Sequence, residues 1–402
     1  MNRLLSIVLV LLHSTLGWSA ANPPDSLVYF GELTFHSDFE KEAFENVCNN
    51  RETDYIDLFL SSSDTINREK ALAIKEKLTR LVKEISEDKK YNRVFDKKKV
   101  KVVYYEVHNA FLKKYIDNID FAEIFNSGQY NCVTATALYG IMLDALEIPF
   151  TVKKTADHVF LLAYPESYSI LVESTNPVHG YYVYDDYIKS QFAEYLKNSK
   201  FITEEEYYSK SNEDIFEEYF YRKGDITMRQ LAGIHYYNKG FREMMENRYE
   251  DAFYFIEKAY YLYPNEQFGY FLVLSAGSAL KDCRYEDVHY ADFIYKSARY
   301  GQYGITSDNV YNQFVDVTQR ILTEQSRSGL YDEYYQRIVS NIIDTSLKKD
   351  IDFLYNYERG RMYHINGKYD SSLACFEKAY SIKTKYIDAR KVFVDNLLFA
   401  VY

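Results

Sequence analysis

The sequence predicts an α+β domain followed by an all-α domain of helical repeats. Residues 25–125 have mainly helical patterns, whereas three short segments from Phe150 onward are rich in β-branched and aromatic residues. Beyond about residue 205 only helical patterns remain, and one segment of this region occurs twice. Because such a change of period indicates a change of architecture, we expect an α+β domain over 22–210 and a repeat domain over 225–402.

The first 21 residues have the layout of a secretory signal peptide. Arg3 supplies a positive charge, residues 4–12 are apolar, and small residues at 19–21 provide a cleavage site. The apolar stretch is too short to span a bilayer comfortably, and no other stretch is apolar enough. We therefore expect a secreted or periplasmic protein with no integral membrane span after cleavage. An uncleaved N-terminal anchor is the alternative.

Composition excludes several classes of function. The chain has 402 residues and a net charge of −11, and it lacks a long basic run, so nucleic acid is not an expected partner. Its four cysteines are scattered and contain no C-x-x-C pair, which argues against a zinc framework and against a dense disulfide scaffold. The sequence leaves open whether a single disulfide forms among Cys48, Cys283 and Cys375. No metal or cofactor is expected.

Helical periodicity is clearest over residues 68–86, where apolar side chains lean to one side, and it returns at 107–116. The charged stretch between them, residues 87–101, is interpreted as a solvated surface loop.

Three strands are predicted after this helical region, over 150–154, 158–164 and 169–174. If residues 165–168 form the turn between the last two, position 158 faces position 175. Glu173 is then the diagonal neighbour of His158 on the same face, and Asn176 falls on the opposite face. A turn longer or shorter by one residue would move every side chain of the second strand to the other face of the sheet.

Cys132 occupies the start of a predicted helix, because Asn131 is a good N-cap residue and the run 132–148 is apolar at helical spacing. Unpaired N–H groups and the helix dipole at such a position stabilise a thiolate and can hold a developing oxyanion. A thiolate also needs a base and an orienting acid. His158 and Glu173 are the candidates, and we expect Glu173 to hold the imidazole Nδ1–H.

Accessory roles are weaker hypotheses. Gln129 and Tyr130 could assist an oxyanion only because they are close to Cys132 in sequence, and Asn176 could orient the imidazole in place of Glu173. Each site residue also has a structural interpretation. Cys132 could be an inert thiol in the core, His158 a strand histidine whose ring nitrogens are hydrogen bonded, and Glu173 a carboxylate that only supports the fold. A zinc site at the three main residues would lack a fourth ligand.

The order of these motifs resembles the transglutaminase-like superfamily of papain-like folds over roughly residues 105–185. The matching positions are Gly128, Tyr130, Asn131 and Cys132, then His158-Val159-Phe160, then Glu173-x-Thr175 before Pro177. The resemblance implies a papain-like, transglutaminase-like N-terminal domain. By the same resemblance Cys132 is the nucleophile, His158 the general base and acid, and Glu173 the orienting group. The family usually has Asp at this last position.

The repeated segment covers residues 239–264 and 359–384. Gly240 aligns with Gly360, and the Glu-Lys-Ala-Tyr run at 257–260 aligns with 377–380. In each copy a small glycine would let one helix approach the next. The spacing resembles the tetratricopeptide repeat, which implies a stacked superhelix that recruits a protein or peptide partner.

Two functions follow from these patterns. The first is an exported, cysteine-dependent acyl transferase or amide and peptide hydrolase whose repeats recruit a partner. The alternative is a non-catalytic, protein-binding scaffold with a degenerate transglutaminase-like domain. Contact between the Cys132 thiol and the His158 imidazole distinguishes the two.

Overall fold

The computed structural model describes residues 27–48, 54–89, 91–155, 158–175, 180–220, 224–281 and 283–383. The predicted signal peptide and Asn176 lie outside these residues. Of the described residues, 67% are in helices and 6% are in strands.

Helices and short strands alternate in the first part of the chain. The elements are α1 Asp38–Cys48, α2 Tyr55–Leu60, α3 Arg68–Glu87, α4 Asp96–Phe111, β1 Lys114–Tyr115, α5 Glu123–Asn126, β2 Gln129–Tyr130, α6 Cys132–Ala145, β3 Phe150–Lys154, β4 Val159–Ala163, β5 Ile170–Val172, β6 Tyr181–Val183, α7 Asp186–Asn198, α8 Glu204–Ser209 and α9 Asn212–Tyr219.

The remainder is helical apart from its first strand. The elements are β7 Asp225–Ile226, α10 Met228–Met245, α11 Tyr249–Leu262, α12 Glu266–Lys281, α13 Tyr290–Ser297, α14 Ser307–Val317 (continued as a π-helix over Thr318–Glu324), α15 Ser328–Asn341, α16 Thr345–Ile365 and α17 Tyr369–Ile382. Among the described residues, none of these helices combines the length and apolarity needed to cross a bilayer.

The main sheet has five strands in the order β6-β5-β4-β3-β7, and every neighbouring pair is antiparallel. Ala163 pairs with Ile170 and Leu161 pairs with Val172, so the turn at 165–168 has the predicted length and the predicted register is confirmed. A separate parallel pair joins β1 to β2 and places Tyr115 opposite Tyr130.

Helix α6 is buried on nearly all sides, with every residue from Val133 to Gly140 in the interior. It packs against β3 and β4 on one side and against α4 and α10 on the other. The opposite face of the sheet is covered by α7 and α9, where Phe160 and Leu162 contact Phe216. The sheet is therefore an internal layer, and it presents the start of α6 beside the end of β4.

The predicted fold class was wrong. No distinct papain-like or transglutaminase-like α+β domain precedes an all-α superhelix among the described residues, because helices predominate throughout and the sheet is small. One hydrophobic core extends from Val28 to Ile351. Strands of two to five residues cannot build a core of their own, so they share the core of the surrounding helices.

Contacts across the expected boundary show how closely the two halves join. Strand β7, beyond residue 220, pairs with β3. The Glu40 carboxylate meets the Lys258 ammonium at 2.8 Å, and both side chains are fully buried. Glu32 and Arg299 form a second long-range pair at 2.5 Å.

Both copies of the repeated segment form helical hairpins, α10–α11 and α16–α17. A Cβ atom at Gly240 would lie 2.7 Å from Ile256 Cδ1, and one at Gly360 would lie 2.9 Å from Phe376 Cε1. The aligned glycines thus permit the same close helix contact in each copy. The resemblance to tetratricopeptide repeats stays a prediction.

Candidate active site

Cys132 begins helix α6, and Asn131 caps it. The Thr134 N–H donates to Asn131 Oδ1 at 2.9 Å, and the Asn131 N–H donates to Thr134 Oγ1 at 2.9 Å. This reciprocal capping box fixes the first turn of the helix. Cys132 is a half-buried free thiol at that turn, as expected from the sequence.

His158 contacts both other members of the predicted triad. Its Nε2 lies 2.5 Å from Glu173 Oε2. A hydrogen bond with the Cys132 side chain, followed by the one with Glu173, raises the pKa of His158 to about 10 against the opposing effect of burial. The imidazole is therefore charged at neutral pH and can stabilise a neighbouring thiolate.

The nitrogen that Glu173 uses differs from the expectation. Glu173 binds Nε2, not Nδ1. The contact between the acid and the imidazole is therefore present, but through the other ring nitrogen.

Glu173 is itself held by several partners. Its Oε1 accepts hydrogen bonds from the Thr175 N–H at 2.8 Å and the Thr175 hydroxyl at 2.7 Å. Its backbone N–H donates to the Gly180 carbonyl at 2.6 Å, and its carbonyl accepts from the Tyr104 hydroxyl at 3.0 Å. Burial alone would raise the pKa of Glu173, but the hydrogen bonds from His158 and Thr175 lower it. The carboxylate therefore stays ionised beside the imidazolium.

Tyr115 is a site residue that the sequence did not indicate. Burial, and then the neighbouring Cys132 and Asp117, raise the pKa of its hydroxyl. The β1–β2 pairing explains this position, because Tyr115 lies opposite Tyr130, two residues before the thiol. Strand β1 has only two residues, too few to show the alternation of apolar and polar side chains that marks a strand. The sequence pattern there therefore predicts the end of a helical segment.

Two of the accessory residues, Tyr130 and Gln129, lie elsewhere. The Tyr130 hydroxyl donates to the Ser174 carbonyl at 3.3 Å, so this buried ring supports the loop next to Glu173. Gln129 pairs with Lys114 across β1 and β2. Neither side chain lines the cavity that contains Cys132. Asn176 lies outside the described residues, so its accessory role stays a prediction.

A cavity of about 160 Å³ opens beside the thiol. The sheet and the start of α6 form one wall, and α10 and α12 form the other. The lining residues are Cys132, Val133, Lys154, Thr155, His158, Val159, Ile234, Tyr237, Asn238, Gln267 and Phe268. The cavity thus joins the Cys132 thiol from the first half of the chain to a wall from the helical second half.

Within the described part of the chain, no cluster of three or more His, Cys, Asp or Glu side chains is placed to hold a metal ion. Cys283 and Cys375 are free thiols.

Comparison with protein-family models, curated proteins and solved structures finds no match to this chain. The transglutaminase-like resemblance therefore rests on the sequence motifs alone. The chemistry of the site has to be argued from its own geometry.

Proposed function

We propose that this protein is a cysteine-dependent acyl transferase or amide hydrolase with Cys132 as its nucleophile. The observation that carries the proposal is the position of His158, whose Nε2 lies 2.5 Å from Glu173 Oε2 and whose ring lines the same small cavity as Cys132. An inert core cysteine has no need of a charged imidazole, whereas a nucleophilic thiolate does.

In the first half of the reaction, the Cys132 thiolate attacks the carbonyl carbon of an amide or peptide bond, and a C–S bond forms. The carbonyl oxygen becomes an oxyanion, which can accept hydrogen bonds from N–H groups at the start of α6 and from the Tyr115 hydroxyl. The imidazolium gives a proton to the leaving nitrogen as the C–N bond breaks. The products are a thioester on Cys132 and a free amine.

In the second half, water or an amine attacks the thioester. Neutral His158 takes the proton of the attacking group, and the thiolate leaves, which restores the starting ion pair. Hydrolysis and amine transfer share the first step, so the same residues serve both. Glu173 does not exchange protons in this scheme. It keeps the ring oriented and stabilises its charged form.

Two further features complete the proposal. The helical hairpins would bind a protein or peptide partner, and this is supported by the wall that α10 and α12 contribute to the cavity. Residues 1–21 would direct export to a secreted or periplasmic location. N-terminal sequencing of the exported chain should then begin near Asn22, and a soluble cytoplasmic form that retains Met1 would contradict export.

An acylation experiment tests the reaction. Incubation with p-nitrophenyl acetate should add one acetyl group to the peptide that contains Cys132, and hydroxylamine should remove it because thioesters are labile to this nucleophile. Cys132→Ala should lose the adduct. Cys375→Ala is the matched control, since Cys375 is also a half-buried free thiol, and it should keep the adduct. Failure of Cys132 to become acetylated would favour the scaffold alternative.

A further inference from the structure

The cavity beside Cys132 has the size of a single side chain. Its volume is about 160 Å³, and a cavity of about 150 Å³ holds a benzene-sized molecule. Val133, Val159, Ile234 and Phe268 provide its apolar surface, and Phe268 is itself buried. A short carbon chain attached to the reacting carbonyl would fit against these groups.

One cation in this lining has no carboxylate partner among the described residues. Lys154 is half-buried at the end of β3, and its Nζ reaches only the Thr155 carbonyl, at 3.4 Å, in that part of the chain. The preceding Lys153 differs, because its ammonium meets Glu217 at 2.9 Å and Asp225 at 2.7 Å. Burial lowers the pKa of Lys154. A partly buried ammonium of this kind is stabilised when an anion binds beside it.

Tyr237 supplies a second polar group in the opposite wall. Its hydroxyl accepts a hydrogen bond from Gln267 Nε2 at 3.0 Å, and its ring stacks on Phe268 with 4.5 Å between centroids. Burial raises the pKa of Tyr237 to about 12, so the hydroxyl keeps its proton. Within the described part of the chain that proton has no acceptor, and it is available to a ligand oxygen.

We propose that this cavity binds an acyl group that carries a carboxylate, and that Lys154 pairs with this carboxylate. The inference rests on the proposed function and adds its substrate class: an amide or peptide whose acyl side has an acidic group a few bonds from the reacting carbonyl. The chain as a whole has a net charge of −11. An anionic substrate therefore needs a local cation, and Lys154 is the lysine in the lining.

Two alkylating reagents of similar size but different charge test the pairing at the thiol. Iodoacetate carries a carboxylate and iodoacetamide is its neutral counterpart, so the ratio of their rates at Cys132 reports the local positive charge. Lys154→Met should lower the iodoacetate-to-iodoacetamide ratio roughly fivefold, as expected for unit charges about 4 Å apart. Lys77→Met removes the same charge from an exposed position on α3 and should leave the ratio unchanged.

A binding experiment tests the pairing without any reaction. In the Cys132→Ser protein, glutarate should bind in isothermal titration calorimetry and the neutral glutaramide should not. Lys154→Met in the same background should abolish glutarate binding, and Lys77→Met should preserve it. These measurements do not need a reactive thiol.

The outcomes separate the inference from the proposed function. If Cys132 reacts but Lys154→Met changes neither the rate ratio nor glutarate binding, the carboxylate site is overturned and the proposed function stands. If glutarate binds through Lys154 but Cys132 cannot be alkylated or acylated, the binding site stands and the acyl-transfer function is overturned.

Discussion

The charge on His158 depends on Cys132 and Glu173, whose hydrogen bonds raise its pKa to about 10. The substitution Glu173→Gln keeps the size of the side chain and removes the anion, so the pKa of His158 should fall toward its ordinary value near 6.5. NMR titration of the imidazole measures this shift, with the other histidine signals as the internal reference. An unchanged midpoint would show that Glu173 does not set the charge of the ring.

The same raised pKa gives the pH dependence of stability a definite sign. Folded His158 keeps its proton up to a pH of about 10, whereas the unfolded chain loses it near 6.5. The contribution of this group to the free energy of unfolding is therefore complete below 6.5 and is lost as the pH rises toward 10. In the Glu173→Gln variant, urea unfolding should show a smaller decrease in the free energy of unfolding as the pH rises from 6.5 toward 10.

Tyr115 should affect the reactivity of the thiol. Cys132 is close enough to raise the pKa of the Tyr115 hydroxyl, and a hydrogen bond from this hydroxyl to the thiolate would contribute about 1.5–3 kcal/mol. Tyr115→Phe should slow iodoacetamide alkylation of Cys132 by about tenfold. Tyr105→Phe is the matched control, because the two side chains are equally exposed at 39%. Equal rates in both variants would remove Tyr115 from the site.

Residue-level prediction from the sequence succeeded where a strong local rule applied. Asn131 and Cys132 were placed by helix capping, and His158 and Glu173 were brought together by the length of one turn. Tyr115 could not be found in this way. Its contact with Cys132 depends on a two-residue parallel pairing between segments that have no periodic signal.

At the scale of elements, Gly180 holds β6 close to the site. A Cβ atom there would overlap both the Tyr104 hydroxyl and the Glu173 carbonyl. Gly180→Ala should therefore displace Glu173, lower the melting temperature and lower the pKa of His158. Gly277→Ala is the control, because a Cβ atom on this helical glycine would meet no neighbouring group within 4 Å among the described residues. It should stabilise the protein by about 0.5–1 kcal/mol.

The opposite result for Gly180→Ala would contradict this role of β6. If the variant melts at the wild-type temperature and His158 titrates as before, β6 does not position Glu173.

Element prediction was correct for β3, whose β-branched and aromatic run over 150–154 became a strand with the same bounds. It was wrong for the charged stretch 87–101, because helix α4 already begins at Asp96. Burial of Val100, Val103 and Val107 stabilises that helix, and this tertiary packing outweighs the local charge pattern. Strand β7 was missed because its two residues gain their order from β3, far away in sequence.

At the scale of the whole molecule, the Glu40–Lys258 pair joins α1 to α11 inside the common core. Glu40→Ala leaves the Lys258 ammonium buried without its partner, which should destabilise the protein by about 3–5 kcal/mol. Glu45→Ala on the same helix breaks an exposed pair with Lys41 and should cost less than about 1 kcal/mol. Urea unfolding measures both.

A loss for Glu40→Ala no larger than that for Glu45→Ala would mean that the first and second halves of the chain are not coupled through this pair. The predicted fold class was wrong because long-range contacts decide which segments share a core. Periodicity reports the local state of a segment, whereas Glu40–Lys258 and β3–β7 join residues that are far apart in sequence.

The pH dependence of cysteine alkylation tests the central claim most directly. Burial raises the pKa of Cys283 to about 11 and also raises that of Cys375, so these two thiols serve as internal references within the same protein. Peptide mapping after iodoacetamide treatment across a pH series should show Cys132 modified at neutral pH, where the two references remain unmodified. His158→Ala should slow the alkylation of Cys132 at neutral pH, because the imidazolium that stabilises its thiolate is gone. If Cys132 reacts no faster than Cys283 and Cys375, and His158→Ala leaves its alkylation rate unchanged, the site is structural and the acyl-transfer account is contradicted.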